Sequence, residues 1–201
     1  MVVVKEYYDR RADEYDQSLF ERRDPEAAAA FTREMSALGE VLAALQPARV
    51  LDVACGTGLF TRYLRGQVVA VDQSQRMLAI AGRRVPTARL VRAAAPTLPF
   101  ADLSFDRLFT SFFYGHLVDV ERLAFLAEAR RLAPELVVAD AAAYQGVQPD
   151  GWRQRVLRDG TRYTVYKRHF TAAQLLAELG GQGEVLFAQC SFVAVRAALS
   201  G

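Results

Sequence analysis

Apolar positions in the first 46 residues recur at three- and four-residue spacing. Between Ala27 and Leu45, the side chains of Phe31, Met35, Leu38, Leu42 and Leu45 share one face, which predicts an amphipathic helix. Helical pattern extends back to Val4, with Pro25 as a start or break, and Pro47 stops it. Beyond Pro47 the period shortens. Apolar runs at 49–54, 67–72, 88–92, 105–111 and 136–141 predict buried strands. Between them lie a small-residue turn at 55–58 leading into a short helix to Arg65, which Gly66 ends, then a helix after the N-cap Ser74 through Ala81, and another over 120–132. Near the end, Thr171-Ala172-Ala173-Gln174 is a capping box opening a helix that stops at Gly180. Two closely spaced strands follow at 184–190 and 192–197, and so short a connection makes them antiparallel.

Strands alternating with helices of this length mean an α/β fold, a mostly parallel sheet covered on both faces. At 201 residues and 52% hydrophobic, the chain suffices for one domain with a substantial core. The expected organisation is a single domain over 1–201: an N-terminal helical cap at 1–46 and a core at 47–201, with an insertion at 144–170. A net charge of +2 supplies no field that would draw nucleic acid or an acidic membrane. Met1 to Val4 is apolar, but Lys5 and Glu6 interrupt it before a signal-peptide core can form, and no eighteen-residue run lacks a charge. Cys55 and Cys190 are too few for a disulfide scaffold and are not spaced as a metal site, so a cytoplasmic protein without a metal is expected.

The segment Val50-Leu51-Asp52-Val53-Ala54-Cys55-Gly56-Thr57-Gly58 carries the chemistry. A buried strand runs into a glycine turn and then a helix, so backbone can approach a ligand closely and free N–H groups face it. A dinucleotide fingerprint fails here, because the third glycine site counted from Gly56 is Thr61. Asp52, near the strand end and read as aimed at the loop, would repel a diphosphate but suits a ligand bearing an ammonium and a sulfonium. Asp72 closes the next strand, where an acidic side chain accepts both ribose hydroxyls in such folds.

With those residues in view, the chain resembles a class I S-adenosylmethionine-dependent methyltransferase of the small-molecule kind. The run from Val50 to Gly58 is similar to that family's first motif, with Ala54 standing where the first glycine usually falls. Ala70-Val71-Asp72-Gln73-Ser74 with Met77-Leu78 resembles the second motif. Leu98-Pro99-Phe100 with Ser104-Phe105-Asp106, His116-Leu117-Val118-Asp119, and Tyr7-Tyr8-Asp9 with Tyr15-Asp16 resemble further segments.

The resemblance implies a Rossmann-like seven-stranded sheet of order 3-2-1-4-5-7-6, its last strand pair antiparallel, under an N-terminal helical lid. It also implies S-adenosylmethionine as cofactor and S-adenosylhomocysteine as product. The implied cofactor-binding residues are Tyr15, Asp52, Ala54, Cys55, Gly56, Gly58, Asp72, Gln73, Met77, Ala94, Ala95, Ser111 and Phe112. An aspartate that usually reads the adenine amino group is replaced by Ala94, leaving backbone at Ala94 and Ala95 to do so.

Acceptor-side candidates follow the fourth and fifth strands: Phe112, Phe113, Tyr114 and His116, then Tyr144 and Trp152. His116 is the first choice for a general base, since imidazole titrates near neutral pH; His169 and Tyr114 are the others. Arg153, Arg155, Arg158, Arg162, Lys167 and Arg168 read either as a site for an anionic acceptor or as a solvated face. The expected partner is a small-molecule acceptor, with no membrane and no nucleic acid, for a monomer or homodimer. The alternatives are an NAD-dependent oxidoreductase on a similar fold and a non-catalytic S-adenosylmethionine-binding protein.

Overall fold

Helices fill the N-terminal segment, as the three-and-four spacing predicts. In the computed structural model, which describes residues 2–20 and 24–199, with side chains from 6 to 18 and from 24 to 199, helix α1 spans Val2–Arg11 and α2 spans Tyr15–Phe20. Helix α3, Pro25–Ala44, begins at the N-cap Asp24, whose carboxylate accepts from the N–H groups of Glu26 and Ala27; Pro25, lacking an N–H, suits the first turn. Its buried stripe of Phe31, Met35, Leu38 and Leu42 is the one read from the sequence.

Seven strands form the main sheet: β1 (Ala48–Val53), β2 (Gly66–Asp72), β3 (Arg89–Arg92), β4 (Arg107–Ser111), β5 (Glu135–Ala141), and then β8 (Gly183–Ala188) and β9 (Phe192–Ala198). Between β5 and β8 lies a separate hairpin of β6 (Asp150–Val156) and β7 (Arg162–Arg168), followed by helix α6 (Ala172–Glu178). Helix α4 (Gln75–Arg84) links β2 to β3, and α5 (Asp119–Leu132) links β4 to β5. The order across the sheet is β3-β2-β1-β4-β5-β9-β8. That is the expected 3-2-1-4-5-7-6 arrangement once the hairpin strands are counted. All pairs from β3 to β5 are parallel, while β9 is antiparallel to both its neighbours.

Alternation along the central strands divides the core between two faces. Val50, Phe109 and Val137 pack under α3, whereas Leu51, Leu108, Leu136 and Val138 pack against α5. No described helix is long and apolar enough to cross a membrane.

Two local expectations need correction. Only a 3-10 turn at Thr61–Tyr63 follows the glycine loop, so there is no helix for Gly66 to end. Gly66 instead opens β2 at φ +105, where an added Cβ would lie 2.2 Å from the Ala48 carbonyl oxygen. Close pairing of β2 with β1 therefore demands glycine. The hairpin was also not anticipated as strands. Asp159 and Gly160 sit in its turn, and side chains alternate along both arms: Tyr163, Val165 and Lys167 are buried, while Trp152, Gln154 and Val156 are exposed.

Candidate functional site

The carboxyl ends of parallel strands are where such sheets bind ligands. Here a cavity of about 190 Å³ opens at those ends, lined by Val53 closing β1 with Ala54 after it, Asp72 closing β2, and Ser111 closing β4 with Phe112 after it. Its rim is formed by Tyr8 and Tyr15 from the N-terminal segment and by Trp152 and Tyr166 from the hairpin. Ala54 and Phe112 hold φ +58 and +53, left-handed conformations that non-glycine residues adopt at a cost of about 1–2 kcal/mol. Gly56, at φ +54, borders the cavity with open space where a Cβ would stand. Its backbone is left bare for a close ligand.

Asp72 ties this floor together. One carboxylate oxygen accepts from Gly56 N at 2.9 Å and the other from Ser74 N at 2.8 Å. Burial raises its pKa, outweighing those two hydrogen bonds. The α1–α2 segment is clasped onto the same turns. Asp9 accepts from the Ser74 hydroxyl at 2.5 Å, Asp16 accepts from the Thr57 hydroxyl at 2.7 Å and from Arg84 at 2.5 Å, and Asp13 pairs with Arg76. This brings Tyr8 and Tyr15 over the floor, where burial raises both phenol pKa values and keeps the hydroxyls protonated.

Of the residues singled out in the sequence, Tyr15, Ala54, Gly56, Asp72, Gln73, Met77, Ala94, Ala95, Ser111, Phe112, Phe113, His116 and Trp152 line the cavity. Asp52, Cys55, Gly58, Tyr114, Tyr144 and His169 do not. Strand alternation turns Asp52 away from the face that Val53 presents. It is 1% exposed; one carboxyl oxygen accepts from the Thr61 hydroxyl at 2.6 Å and the other has no partner. Burial pushes its pKa up to about 7, with the Thr61 hydrogen bond opposing and Asp72 adding to the rise. Cys55 packs with Ala70 and Leu78. Gly58 allows close packing on α4, since a Cβ there would sit 3.3 Å from Ala81. Tyr114 is 1% exposed, donates to Glu178 at 3.3 Å and stacks near Phe125 and Phe170. His169 lies one residue past β7 and donates its backbone N–H to Pro149.

His116 reaches the cavity, but in a different electrostatic state from the one expected. Its Nδ1 lies 2.6 Å from the Tyr166 carbonyl oxygen. A carbonyl only accepts, so Nδ1 carries the proton and Nε2 keeps a lone pair. Burial, then the nearby Lys167 ammonium, lower the His116 pKa to about 3; the Asp140 carboxylate opposes them. The ring is therefore neutral throughout the physiological range. Behind it, Lys167 Nζ donates to Asp140 Oδ1 at 2.5 Å, their side chains 9% and 0% exposed, and Asp140 also accepts from Gly115 N at 2.8 Å. This buried pair joins the His116 turn to the hairpin.

Tyr166 and Glu121, and Leu117 and Val118 of the quoted His116–Asp119 segment, have no site role in the sequence reading but line the cavity. The alternation at 162–168 after an Asp-Gly turn was the available signal for Tyr166. Val118 N donates to Glu121 at 3.1 Å, a helix-start pattern also present in the sequence.

Residues 50–135 match the family model described as Methyltransferase domain. The demethylmenaquinone methyltransferase of Thermotoga maritima is 34% identical over 98 residues, covering 46% of this chain and 42% of that protein. The O-methyltransferase cnsE of Penicillium expansum is 35% identical over 120 residues, 54% of this chain and 42% of its own length. The chain thus spans 42% of the length of each of these relatives. A solved complex described as DhpI-SAM-HEP superposes with a TM-score of 0.74 at 23% identity, over 96% of this chain and 95% of that one, a likeness of fold.

Proposed function

We propose that this chain is a class I S-adenosylmethionine-dependent methyltransferase that transfers the cofactor's methyl group to a small-molecule acceptor and leaves S-adenosylhomocysteine. One observation carries the reading: a bare left-handed turn at Ala54–Gly56, tied to the Asp72 carboxylate, forms a cavity floor beneath two protonated tyrosines. Asp72 would hold the ribose hydroxyls, Gln73 and Met77 the adenine, with backbone at Ala94 and Ala95 beside its amino group. Tyr15, Ser111 and Phe112 would enclose the remainder, under a lid formed by the α1–α2 segment that carries Tyr8 and Tyr15, while α3 packs on the sheet.

When bound, the cofactor supplies a methyl carbon on a sulfonium: the acceptor's lone pair forms the new bond, and the broken C–S pair stays on sulfur. The chain's part is placement and exclusion of water, and fixed near-attack geometry is worth up to roughly 7–11 kcal/mol in such displacements. His116 Nε2 orients the acceptor by accepting its hydrogen. The oxidoreductase alternative fails at Thr61, whose side chain is buried behind the turn on Asp52 rather than clearing space for a diphosphate. Free Cys55 and Cys190 accord with a reducing, cytoplasmic setting.

Incubating the protein with methyl-labelled S-adenosylmethionine and a metabolite extract of its source tests the proposal. Label appearing in a low-mass product supports it. Protein that binds the cofactor yet labels nothing would leave a non-catalytic binding protein.

A further inference from the structure

The acceptor half of the cavity has a chemical character of its own. Its walls are aromatic or aliphatic: Phe113, Leu117, Trp152 and Tyr166, the last two edge to face at 5.8 Å. A second, largely apolar pocket lined by Pro96, Val120, Ala124 and Phe125 adjoins it, sharing Ala95, Phe113, Leu117 and Glu121. No lysine or arginine among the described residues lines either space, whereas the carboxylates of Asp72 and Glu121 border the main cavity. The basic cluster, read in the sequence as either an anion site or a solvated face, is directed elsewhere. Lys167 is held by Asp140, Arg168 by Glu178, Arg158 by Glu14 and Arg153 by Gln148, while Arg155 and Arg162 are exposed outside the lining. An anion entering here would meet two carboxylates, and the Lys167 ammonium behind His116 is already paired with Asp140.

Resting on the methyltransferase reading, we infer that the acceptor is an uncharged, planar hydroxyl compound, a phenol or enol with an apolar body. Its ring lies among the aromatic walls, its apolar extension occupies the adjoining pocket, and its hydroxyl donates to His116 Nε2. The neutral imidazole favours oxygen over amine nitrogen. As the O–CH3 bond forms and the C–S pair goes to sulfur, the oxygen becomes an oxonium, far more acidic than an imidazolium. Its proton passes downhill to Nε2 and on to water. A methylated aliphatic ammonium is much less acidic than this imidazolium and would keep its proton. The carbonyl of Tyr166 and the Lys167–Asp140 pair fix the ring's orientation and tautomer.

Calorimetry on protein saturated with S-adenosylhomocysteine tests this without turnover, using 2-naphthol, 2-naphthoate and naphthalene as probes. Expected is 2-naphthol binding at least tenfold tighter than 2-naphthoate and severalfold tighter than naphthalene. His116→Ala should abolish the preference for naphthol over naphthalene. Trp152→Ala, at a surface position 64% exposed and remote from the core, should weaken both. The inference is overturned if naphthoate binds as well as naphthol, if naphthol fails to bind, or if its preference over naphthalene survives His116→Ala. Should His116→Ala not fold, Trp152→Ala decides by itself: unchanged naphthol affinity overturns the inference. Failure of S-adenosylhomocysteine to bind wild type overturns the underlying reading as well, so the two failures are distinguishable.

Discussion

Asp52→Asn offers a quantitative test of the electrostatics beneath the glycine turn. The carboxyl is 1% exposed, its pKa pushed up to about 7 against an ordinary 3.8, chiefly by burial. A rise of about three pH units corresponds to ~4 kcal/mol, at 1.36 kcal/mol per unit. The folded chain holds this proton after the unfolded chain has released it. Stability from this group is therefore fully present below pH ~4 and is lost as pH rises through about 7. Integrated between pH 5 and pH 8, the loss is roughly 2–3 kcal/mol. His116 acts oppositely on the acid side: its folded pKa of about 3 means stability is present above pH ~6.5 and lost as pH falls toward 3. The informative quantity is thus the difference between two proteins. Urea denaturation of wild type and Asp52→Asn at pH 5, 6.5 and 8 should show the variant gaining about 2–3 kcal/mol on wild type across that range. A constant offset from unpaired amide hydrogens is allowed for in the comparison. Parallel stability curves would refute the buried, protonated carboxyl.

Other consequences follow from single contacts. Ala54→Gly relieves a left-handed alanine and should raise the melting temperature by about 1–3 °C, read by calorimetry; a fall would mean that the alanine side chain supplies packing. Gly66→Ala drives a Cβ to 2.2 Å from the Ala48 carbonyl oxygen at φ +105, so destabilisation of about 2 kcal/mol or more is expected from urea midpoints. Lys167→Met leaves Asp140 buried without its cation and should cost ~3–5 kcal/mol, while Lys167→Met with Asp140→Leu should recover much of that; no recovery would show that the pair's other bonds dominate. Because His116 titrates near 3, the rate with a true acceptor should show no limb near pH 6.5; such a limb, absent in His116→Gln, would contradict the neutral ring.

Much of the frame was legible because strand and helix periods report burial directly. The strands from β1 to β5 and the β8–β9 hairpin fall within one or two residues of the apolar runs, and Ser74 and Thr171 cap their helices as their side chains suggest. The glycine turn and Asp72 were legible for the same reason, being fixed by a strand end. What stayed hidden depends on side-chain direction and on long-range neighbours. Asp52 was read as facing the loop, yet a single step of strand alternation turns it onto Thr61. Tyr166 lies 50 residues beyond His116, and only the fold brings its carbonyl to that ring. The arginine count at 153–168 left an anion site and a solvated face both open in the order of residues, and the structure pairs most of those charges away from the cavity. His116 was expected to titrate near neutrality because neither its burial nor Lys167 behind it is visible in the order of residues.

In the proposed function, cofactor recognition would rest on the Asp72 carboxylate, which bridges the glycine turn and the start of α4. Titrating S-adenosylhomocysteine into wild type and Asp72→Asn by isothermal calorimetry, with folding of both verified by circular dichroism, tests it most directly. Expected are one-to-one binding to wild type and at least tenfold weaker binding to the variant, the scale of losing charge-assisted hydrogen bonds worth about 1.5–3 kcal/mol. Equal affinity in a folded variant, or no binding to wild type, would contradict the claim.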